Sequence, residues 1–510
     1  RTELDRSAAR NSVATTKASI LAGEAIVRAN QQVGPTELER LNAYEEGLRN
    51  QGRLEETGVE LAPIGGSILL NFLVLGIFAL FFYFFRPEIY SNFRWMLLIT
   101  LLVGAYFGAA GILANNNYPA ELLPIAFVSL AVAVLWDSRA ALVLAIILAV
   151  LTGAQPPFGN YPIVVTTLIG GAAAALSVRA VRRRAQTWVF IAIIAASYAG
   201  VILALGLIFR TEPANILLAI GWAGVNATGS AILAMGFLPV FEWFTRITTD
   251  QTLLEWADPN RPLLKRLSLE APGTYAHTIN VANLSEAAAN AVGANGLLCR
   301  VGVYYHDVGK MLKPQYFIEN QPGSRNPHDK LKPEHSAMIV REHVTEGIKL
   351  GKEAKLPEAL ACFIPEHHGT QKISFFYEKA LEEGAEGLTF EDFCYPGPKP
   401  QSKETAIVML ADSVESATRS LQDPTRERLE ELIESIVDTK IRDGQMDDAP
   451  LTLRDLKVIK EQFRKVLGGM YHHRIDYPAT KHLTDAPSAD GKPKGAEGAV
   501  RPTKALEAAA

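Results

Sequence analysis

Seven apolar stretches in the first half of the chain constrain its fold more than any other feature. Most of them reach the roughly 18–20 residues that a helix needs to cross the hydrocarbon core of a bilayer, and the fourth is the shortest. Because backbone amides find no water in that core, the pattern predicts a multi-span bundle of transmembrane helices. The stretches lie at about residues 64–85, 93–114, 119–137, 140–154, 161–178, 187–209 and 215–243.

Arginines separate the connecting loops into two groups. Arg86, Arg94, Arg139 and the cluster at 179–184 fall on one side, whereas only Arg210 opposes them. Since basic residues accumulate in cytoplasmic loops, we expect residues 1–60 outside a bacterial plasma membrane and everything after about residue 244 in the cytoplasm. This alternation requires the fourth stretch to cross. No carboxylate, Lys or His stands in the middle of a stretch, which disfavours a transporter.

The second half of the chain has the composition of a soluble helical domain. Hydrophobic residues make up 48% of the whole chain and charged residues 20%, and nearly all long apolar runs precede residue 245. Helical patterns at about 274–292, 334–350 and 404–421 complete an all-α prediction. A net charge of -4 gives no electrostatic case for binding a nucleic-acid polymer. Three cysteines without a CxxC pair indicate neither a disulfide framework nor a zinc ribbon.

Adjacent His306 and Asp307 interrupt the apolar run 301–310, which we interpret as a helix. Neighbouring residues on a helix diverge by about 100°, so such a pair can contact two neighbouring metal ions. The same dipeptide recurs at His328-Asp329, but in a polar stretch with proline that is typical of a loop. We interpret the second copy as a coincidence.

Further residues of metal-ligand type surround the first copy in sequence. Asp412 lies on an otherwise apolar helix, where a buried carboxylate needs a cation or hydrogen-bond donors. Imidazole and carboxylate ligands without thiolate suit iron, manganese or zinc in a hydrolytic site. His335 and the pair His472-His473 have exposed, charged neighbours and are left out. The candidates are His277, His306, Asp307, His343, His367, His368 and Asp412.

Seven short motifs in this region resemble those of the HD phosphohydrolase superfamily, and more closely those of the seven-transmembrane HD family. The resemblance covers about residues 20–478. The motifs are Glu270-Ala-Pro-Gly-Thr-Tyr-Ala-His277, Tyr304-Tyr-His-Asp-Val-Gly-Lys310, Phe317-Ile-Glu-Asn-Gln321, His343-Val-Thr-Glu-Gly347, Glu366-His-His-Gly-Thr370, Tyr395-Pro-Gly-Pro-Lys-Pro400 and Met409-Leu-Ala-Asp-Ser-Val-Glu415.

The resemblance implies a site with two divalent metal ions, Mn²⁺ or Fe²⁺, that activate a hydroxide to hydrolyse cyclic di-AMP to linear pApA. By that resemblance His277, His306, Asp307 and Asp412 hold one ion, and His343, His367 and His368 hold the second, with Asp307 bridging both. Lys310 follows His306 by four residues, which in a helix places it to meet a phosphate oxygen or the leaving group. The alternative is a solvated lysine at the end of the helix.

The resemblance also implies an arrangement of domains and partners. Residues 1–60 would be the remnant of an extracellular sensor domain that lies mostly upstream of Arg1. Transmembrane helices would fill 61–245, the HD phosphodiesterase domain 246–478 and a disordered tail 479–510. Expected partners are cyclic di-AMP, the lipid bilayer and an unidentified extracellular ligand. No nucleic-acid polymer is expected, and a homo-oligomer is left open.

Two other functions remain open. A phosphodiesterase of the HD-GYP type would act on cyclic di-GMP, but such proteins carry Gly-Tyr-Pro after the double histidine, whereas Gly369-Thr370 follows His368 here. A phosphohydrolase that acts on some other nucleotide belongs to the same alternative. A membrane receptor that only binds nucleotide is the third hypothesis, and the complete set of candidate ligands argues against it.

Overall fold

The structure of the chain is a computed structural model in which nearly all regular structure is helical. It describes residues 2–11, 20–21, 23–28, 31, 33–52, 61–178, 187–321, 326–384, 387, 389–421 and 425–470. Among these residues there is no β-strand, and Lys372 and Cys394 form an isolated antiparallel bridge. The chain divides into two units, 1–247 and 248–510. The all-α prediction is confirmed.

The first unit contains two helices before the apolar region and eight within it. The tail expected at 479–510 and residues 53–60 lie outside the described residues. The helices are α1 (Thr2–Asn11), α2 (Pro35–Asn50), α3 (Leu61–Phe85), α4 (Pro87–Tyr90), α5 (Phe93–Asn115), α6 (Ile125–Leu135), α7 (Ser138–Gly153), α8 (Tyr161–Ser177), α9 (Thr187–Ile208) and α10 (Pro213–Thr245).

All seven apolar stretches form helices, and four of them are long and apolar enough to cross a membrane. These four are α3, α5, α9 and α10, whereas α6, α7 and α8 are apolar but shorter. Large side chains on α3, such as Phe72 and Phe84, are exposed. Because no other described part of the chain covers these apolar side chains, they are suited to contact with the hydrocarbon of a membrane.

Polar residues begin these helices and join them. The carboxylate of Asp137 accepts hydrogen bonds from the amides of Arg139 and Ala140, both at 2.8 Å, and so caps α7. Within α10, the side-chain amide of Asn226 donates to the carbonyl oxygen of Leu123 at 2.9 Å. Ser230 donates to the Asn226 oxygen at 2.8 Å. Asn226 therefore joins α10 to the segment that precedes α6, a packing role that small polar residues often have between membrane helices.

The described residues of the second unit form eleven helices and several short 3₁₀ turns. The helices are α11 (Asp250–Trp256), α12 (Pro262–Glu270), α13 (Pro272–Ala291), α14 (Gly296–His306), α15 (Pro333–Glu353), α16 (Glu358–Ala361), α17 (Phe363–Glu366), α18 (Ser374–Glu382), α19 (Lys403–Arg419), α20 (Arg426–Arg442) and α21 (Leu453–Met470). The 3₁₀ turns are Val308–Leu312, Pro314–Tyr316, Ile318–Asn320, Pro327–Lys330 and Phe390–Phe393.

Helix α19 is the central element of the second unit. It begins at the cap residue Ser402, whose hydroxyl accepts a hydrogen bond from the amide of Thr405 at 3.1 Å. Every residue from 405 to 412 is buried, as expected for a helix that is apolar on most sides. It packs in one core with α13, α14, α20 and α21. Asp412 is therefore placed in the middle of this core.

Candidate metal centre

The first part of the site comes from the amino-terminal half of α13. Pro272 occupies the first helical position, where its missing amide costs nothing. His277 follows in the second turn and is 2% exposed. Its Nδ1 lies 2.6 Å from the Glu415 carboxylate, and its Nε2 points to Asp412 Oδ1 at 2.9 Å. The ring thus stands between two carboxylates of α19.

The end of α14 sets the directions of His306 and Asp307. The helix ends at His306, and Asp307 leaves it with φ -109° and ψ 16°. The expectation that the helix continues through Asp307 is wrong, because the chain tightens into the 3₁₀ turn Val308–Leu312. A Cβ atom on Gly309 would lie 1.9 Å from the carbonyl oxygen of His343. This close approach of two backbones brings the turn against α15.

Backbone carbonyls orient three of the candidate histidines in the same way. Nδ1 of His306 lies 2.6 Å from the carbonyl oxygen of Val303, and Nδ1 of His367 lies 2.8 Å from that of Ile364. His343 Nδ1 has the same contact with Val340. Since a carbonyl only accepts, Nδ1 carries the proton and Nε2 presents a lone pair. That tautomer is the one a metal ligand needs.

Asp307 turns one carboxylate oxygen to each half of the site. Its Oδ1 lies 3.5 Å from Nε2 of both His343 and His367. Its Oδ2 lies 3.2 Å from Nε2 of His306 and 3.6 Å from Nε2 of His277. A carboxylate between two sets of imidazoles is the arrangement that a bridging ligand requires.

Two groups of side chains could each hold a metal ion. One consists of His277, His306 and Asp307, and the other of Asp307, His343, His367 and His368, with the ligand atoms of each group within 4.8 Å of one another. Asp412 adjoins the first group through His277. Six of the seven candidates are buried, and His368 is partly buried. With Asp412 beside the first group, these are the residues of the two ligand sets that the resemblance implies, and their binding of metal stays a prediction.

Several buried polar atoms of the site have no hydrogen-bond partner among the described residues. They are Nε2 of His277, His306, His343 and His367 and Oδ1 of Asp307. Leaving such atoms unpaired away from water costs about 1–3 kcal/mol each. If His277 is neutral with its proton on Nδ1, the lone pair of its Nε2 also faces the Asp412 carboxylate and is repelled by it. A divalent cation would pair the buried atoms and remove this repulsion, so the set of donor atoms fits metal ions.

The electrostatics keep the carboxylates ionised. Burial alone would raise the pKa of Asp307, but His306 and Lys310 hold that pKa well below its usual range. Burial likewise opposes ionisation of Asp412, and the nearby His277 and His306 lower its pKa well below normal. Burial lowers the pKa of His343 to about 3, whereas, against the effect of burial, the neighbouring carboxylates raise the pKa of His306 to about 10 and also raise that of His277. A metal ion in the first group would therefore displace protons from these two imidazoles, while His343 is already neutral.

Lys310 is buried within the site. Its Nζ lies 2.7 Å from Asp307 Oδ2 and 3.2 Å from Glu319 Oε1, and its side chain is 13% exposed. Glu319 is held in turn by the hydroxyl of Thr274 at 3.0 Å. The alternative of a solvated lysine is therefore wrong, and so is its position one α-helical turn beyond His306. Its cationic head instead balances the negative charge of Asp307.

Some residues of the site were not foreseen from the sequence. Glu415 contacts His277 directly, and Tyr395 stacks on the His368 ring with centroids 4.1 Å apart and planes at 21°. Both lie inside motifs that carry the resemblance, which is the signal that could have found them. Lys440 reaches the side chain of Gln371, three residues beyond His368, and no motif indicated it.

Two of the histidines excluded from the site, His328 and His335, are members of neither group. His335 is exposed, and His472 and His473 fall outside the described residues. His328 lies in the short 3₁₀ turn Pro327–Lys330, and it is only 6% exposed although its neighbours in sequence are polar. Its Nε2 contacts the Tyr316 carbonyl oxygen at 3.0 Å, and its ring packs 5.0 Å from that of Phe376. It is a residue of a small core, away from the candidate ligands.

Together, the apolar helices and the buried histidine–aspartate cluster define a membrane protein with a helical domain of the HD class. Residues 61–249 match the family model described as "7TM receptor with intracellular HD hydrolase", and residues 274–417 match the HD domain. The chain is thus similar to this seven-transmembrane HD family in both of these ranges.

Similar proteins include two named cyclic-di-AMP phosphodiesterases. The chain is 38% identical to "Cyclic-di-AMP phosphodiesterase PgpH" of Bacillus subtilis over 486 residues, which cover 90% of this chain and 65% of the relative. It is 43% identical to the Listeria monocytogenes protein of the same name over 267 residues, covering 52% and 37% of the two chains. The chain thus spans less than two thirds of each relative.

A solved structure of the HD domain from one of these relatives is also similar. It is the L. monocytogenes PgpH HD domain in complex with cyclic di-AMP. The match is 44% identical, covers 42% of this chain and all of that chain (100%), and has a TM-score of 0.41.

Proposed function

We propose that the chain is a membrane-bound phosphodiesterase that hydrolyses cyclic di-AMP to linear pApA with two divalent metal ions, Mn²⁺ or Fe²⁺. The observation that carries this proposal is Asp307, whose two oxygens face two separate sets of imidazole nitrogens. Names of relatives supply the substrate class, since both are cyclic-di-AMP phosphodiesterases. The external sensor and the cytoplasmic position of the second unit belong to the same proposal.

Metal ions in this site would supply a hydroxide at neutral pH and draw negative charge from a phosphodiester oxygen. The residues of the chain do the remaining work. His277, His306, Asp307 and Asp412 would hold one ion, and Asp307, His343, His367 and His368 the other. Asp307 fixes the two sets of ligands relative to each other, because one side chain belongs to both. Burial of the ligands strengthens each charge interaction by excluding water.

Lys310 is the cation available to a phosphate or to the leaving oxygen. Its Nζ now pairs with Asp307 and Glu319. We propose that positive ions beside Asp307 compete for that carboxylate and leave the ammonium group for the substrate. The ion pair with Glu319 would still hold the Lys310 ammonium group in the site, where it could contact the reacting phosphate. Lys310 is thus the candidate for substrate binding and for stabilising charge during cleavage.

Hydrolysis of two dinucleotides by the purified full chain tests the proposal. Cyclic di-AMP and cyclic di-GMP would be incubated separately with Mn²⁺ or Fe²⁺, and the products separated by liquid chromatography. We expect pApA from cyclic di-AMP, slower or no turnover of cyclic di-GMP, and loss of activity after chelation. Faster turnover of cyclic di-GMP would overturn the substrate. Binding of cyclic di-AMP without product would instead favour a receptor.

A further inference from the structure

We propose that Glu415 is a positioning residue that makes the ion bound by His277, His306, Asp307 and Asp412 the more tightly held of the two. This inference rests on the proposed function, because it assumes that both groups hold metal ions. It goes further in assigning the two sites unequal affinities and in naming the residue outside the ligand set that causes the difference.

Glu415 is fixed from three directions behind His277. Its Oε2 lies 2.6 Å from Nδ1 of His277. Its Oε1 accepts hydrogen bonds from the side-chain amide of Asn280 at 3.2 Å and from the guanidinium of Arg419 at 2.8 and 2.9 Å. The carboxylate is only 1% exposed. A group held so firmly defines the plane of the imidazole and leaves Nε2 directed at Asp412.

The other buried ligand histidines lack such a partner. Nδ1 of His306, His343 and His367 contacts a backbone carbonyl oxygen in each case. A carboxylate carries a full negative charge where a carbonyl has a partial one, so it makes the opposite ring nitrogen a stronger electron donor. Among these four described histidines, His277 alone has that advantage.

The charges around the two ligand groups add to the expected difference in their affinities for metal ions. Asp412 and Glu415 both adjoin His277, and Asp307 is shared. The other group consists of Asp307 and three histidines. Excess negative charge around the first group favours a divalent cation by Coulomb attraction, which burial strengthens. Arg419 offsets part of the Glu415 charge through Oε1, the oxygen that does not contact His277. Lys310 offsets part of the charge of Asp307, which both groups share.

A purely structural role for Glu415 is the competing explanation. Its contacts with His277 and Asn280 link α13 to α19, so its loss could weaken the packing of these helices without any specific effect on metal. The two roles differ in what they change. A structural residue alters stability whether or not metal is present, whereas a positioning residue alters the affinity of one ion and not the other.

The test is a Mn²⁺ titration of the metal-stripped full chain, followed by equilibrium dialysis and elemental analysis. The variant Glu415→Gln keeps the shape of the side chain and removes its charge. We expect two ions of unequal affinity in the wild type, and a loss of roughly 10–100-fold for the tighter ion alone in Glu415→Gln. Variants His277→Ala and His368→Ala assign the two binding phases, since each removes a ligand from one group only.

Glu404→Gln is the matched control on the same helix. Glu404 accepts a hydrogen bond from the Asn295 amide at 2.8 Å and is not a member of either ligand group, so its substitution should leave both Mn²⁺ affinities unchanged. Glu415→Asp keeps the charge and should recover part of the lost affinity. If circular dichroism shows that Glu415→Gln is not folded, Glu415→Asp replaces it as the test: its longer distance from His277 should weaken the tighter ion alone.

The outcomes separate this inference from the proposed function. Equal wild-type affinities, or unchanged affinities in a folded Glu415→Gln, would overturn the role of Glu415 while two bound ions would still support the metal centre. Weakening of both ions to the same extent would indicate the structural role and also overturn the inference. Absence of Mn²⁺ binding in the wild type would overturn the proposed function itself.

Discussion

Asp307 is the side chain on which both halves of the candidate site depend. It ends α14, and its departure from helical geometry turns its carboxylate between two sets of imidazole nitrogens. On a continuing helix the same side chain would keep the direction set by the helical repeat. The break at this residue therefore matters as much as its chemistry.

Replacing Asp307 should remove metal and activity together. Asp307→Ala deletes a ligand shared by both groups, so bound metal should fall from two ions towards none and hydrolysis of cyclic di-AMP should fall by at least about 10³-fold. Elemental analysis and product chromatography of the purified chain measure both quantities. His335→Ala, at an exposed histidine, is the control and should match the wild type. Near-normal turnover by Asp307→Ala would contradict its bridging role.

Lys440 predicts a pH-dependent stability. Burial lowers its pKa from 10.5 to about 8, although Asp412 and Asp443 oppose the shift. Between these values the unfolded chain binds a proton that the folded chain does not, so this lysine makes stability rise with pH across that window. Below pH 8 both states are charged, and burying the charge costs about 3 kcal/mol.

Lys440→Met should therefore raise the midpoint of thermal unfolding at pH 7 and raise it less at pH 9.5. Calorimetry of the purified chain at both values measures the difference from the wild type, in which other titrating groups cancel. Lys457→Met replaces an exposed lysine and should have a small, equal effect at both pH values. An equal gain from Lys440→Met at pH 7 and 9.5 would show that burial of charge is not the cause.

The identities of the candidate ligands could be predicted from the sequence, but their surroundings could not. His277 and Asp412 stand out because polar residues interrupt helical patterns that are otherwise apolar. Burial of Lys310 depends on Glu319 and Asp307 approaching it in the folded chain. His328 has polar neighbours in sequence, and its burial arises from Phe376, which lies far along the chain. Local patterns carry no information on such contacts.

At the scale of the elements, close packing fixes α14 against α17. A Cβ atom on Gly302 would lie 2.5 Å from the ring of Phe363, which is 1% exposed. Glycine at this position in α14 lets the ring lie directly on the helix backbone. The contact also fixes the end of α14 near α17, since His306 is the last residue of α14 and His367 directly follows α17.

Gly302→Ala should destabilise the second unit by about 1–3 kcal/mol through overpacking. Gly469→Ala is the matched control, because an added Cβ there meets nothing within 4 Å. At that helical position alanine should be neutral or stabilise by up to about 1 kcal/mol. Thermal unfolding of both variants measures the two effects. A destabilisation by Gly302→Ala no larger than that of the control would mean that Phe363 moves aside without cost.

Helices with a strong periodic or apolar pattern were predicted closely. The stretch expected at 274–292 is Pro272–Ala291, and that expected at 404–421 is Lys403–Arg419. Hydrophobic pattern and capping residues are local, so they fix these bounds. Between residues 356 and 368 the chain forms two short helices in succession, Glu358–Ala361 and Phe363–Glu366. Such a break depends on tertiary packing.

At the scale of the whole molecule, membrane insertion rests on seven apolar helices of unequal length. Four meet the length and hydropathy of a membrane span, and α6, α7 and α8 do not. Arginines of the loops favour one orientation, although those at 179–184 lie outside the described residues. The crossing of the fourth stretch, which is α7, stays a prediction.

Cysteine labelling at the two ends of α5 tests this orientation. Ser91 and Asn116 are both exposed and flank the helix Phe93–Asn115. In intact cells, a membrane-impermeant maleimide should label Asn116→Cys and leave Ser91→Cys unlabelled until the membrane is permeabilised. The wild type, with its native Cys299, Cys362 and Cys394, gives the background. The reverse pattern would invert the orientation, and equal labelling of both would mean that α5 does not span the membrane.

Gly309 has a consequence for how this sequence can diverge. With 1.9 Å between its Cβ position and the backbone of α15, no side chain could move aside to make room for a substitution, because the obstacle is main chain. In a library randomised at every codon of the second unit and selected for hydrolysis, we expect residue 309 to be recovered as glycine alone. Conservative exchanges at neighbouring apolar positions such as Val308 should survive. An evolutionary lineage could then replace much of the surrounding core and still keep this one position unchanged.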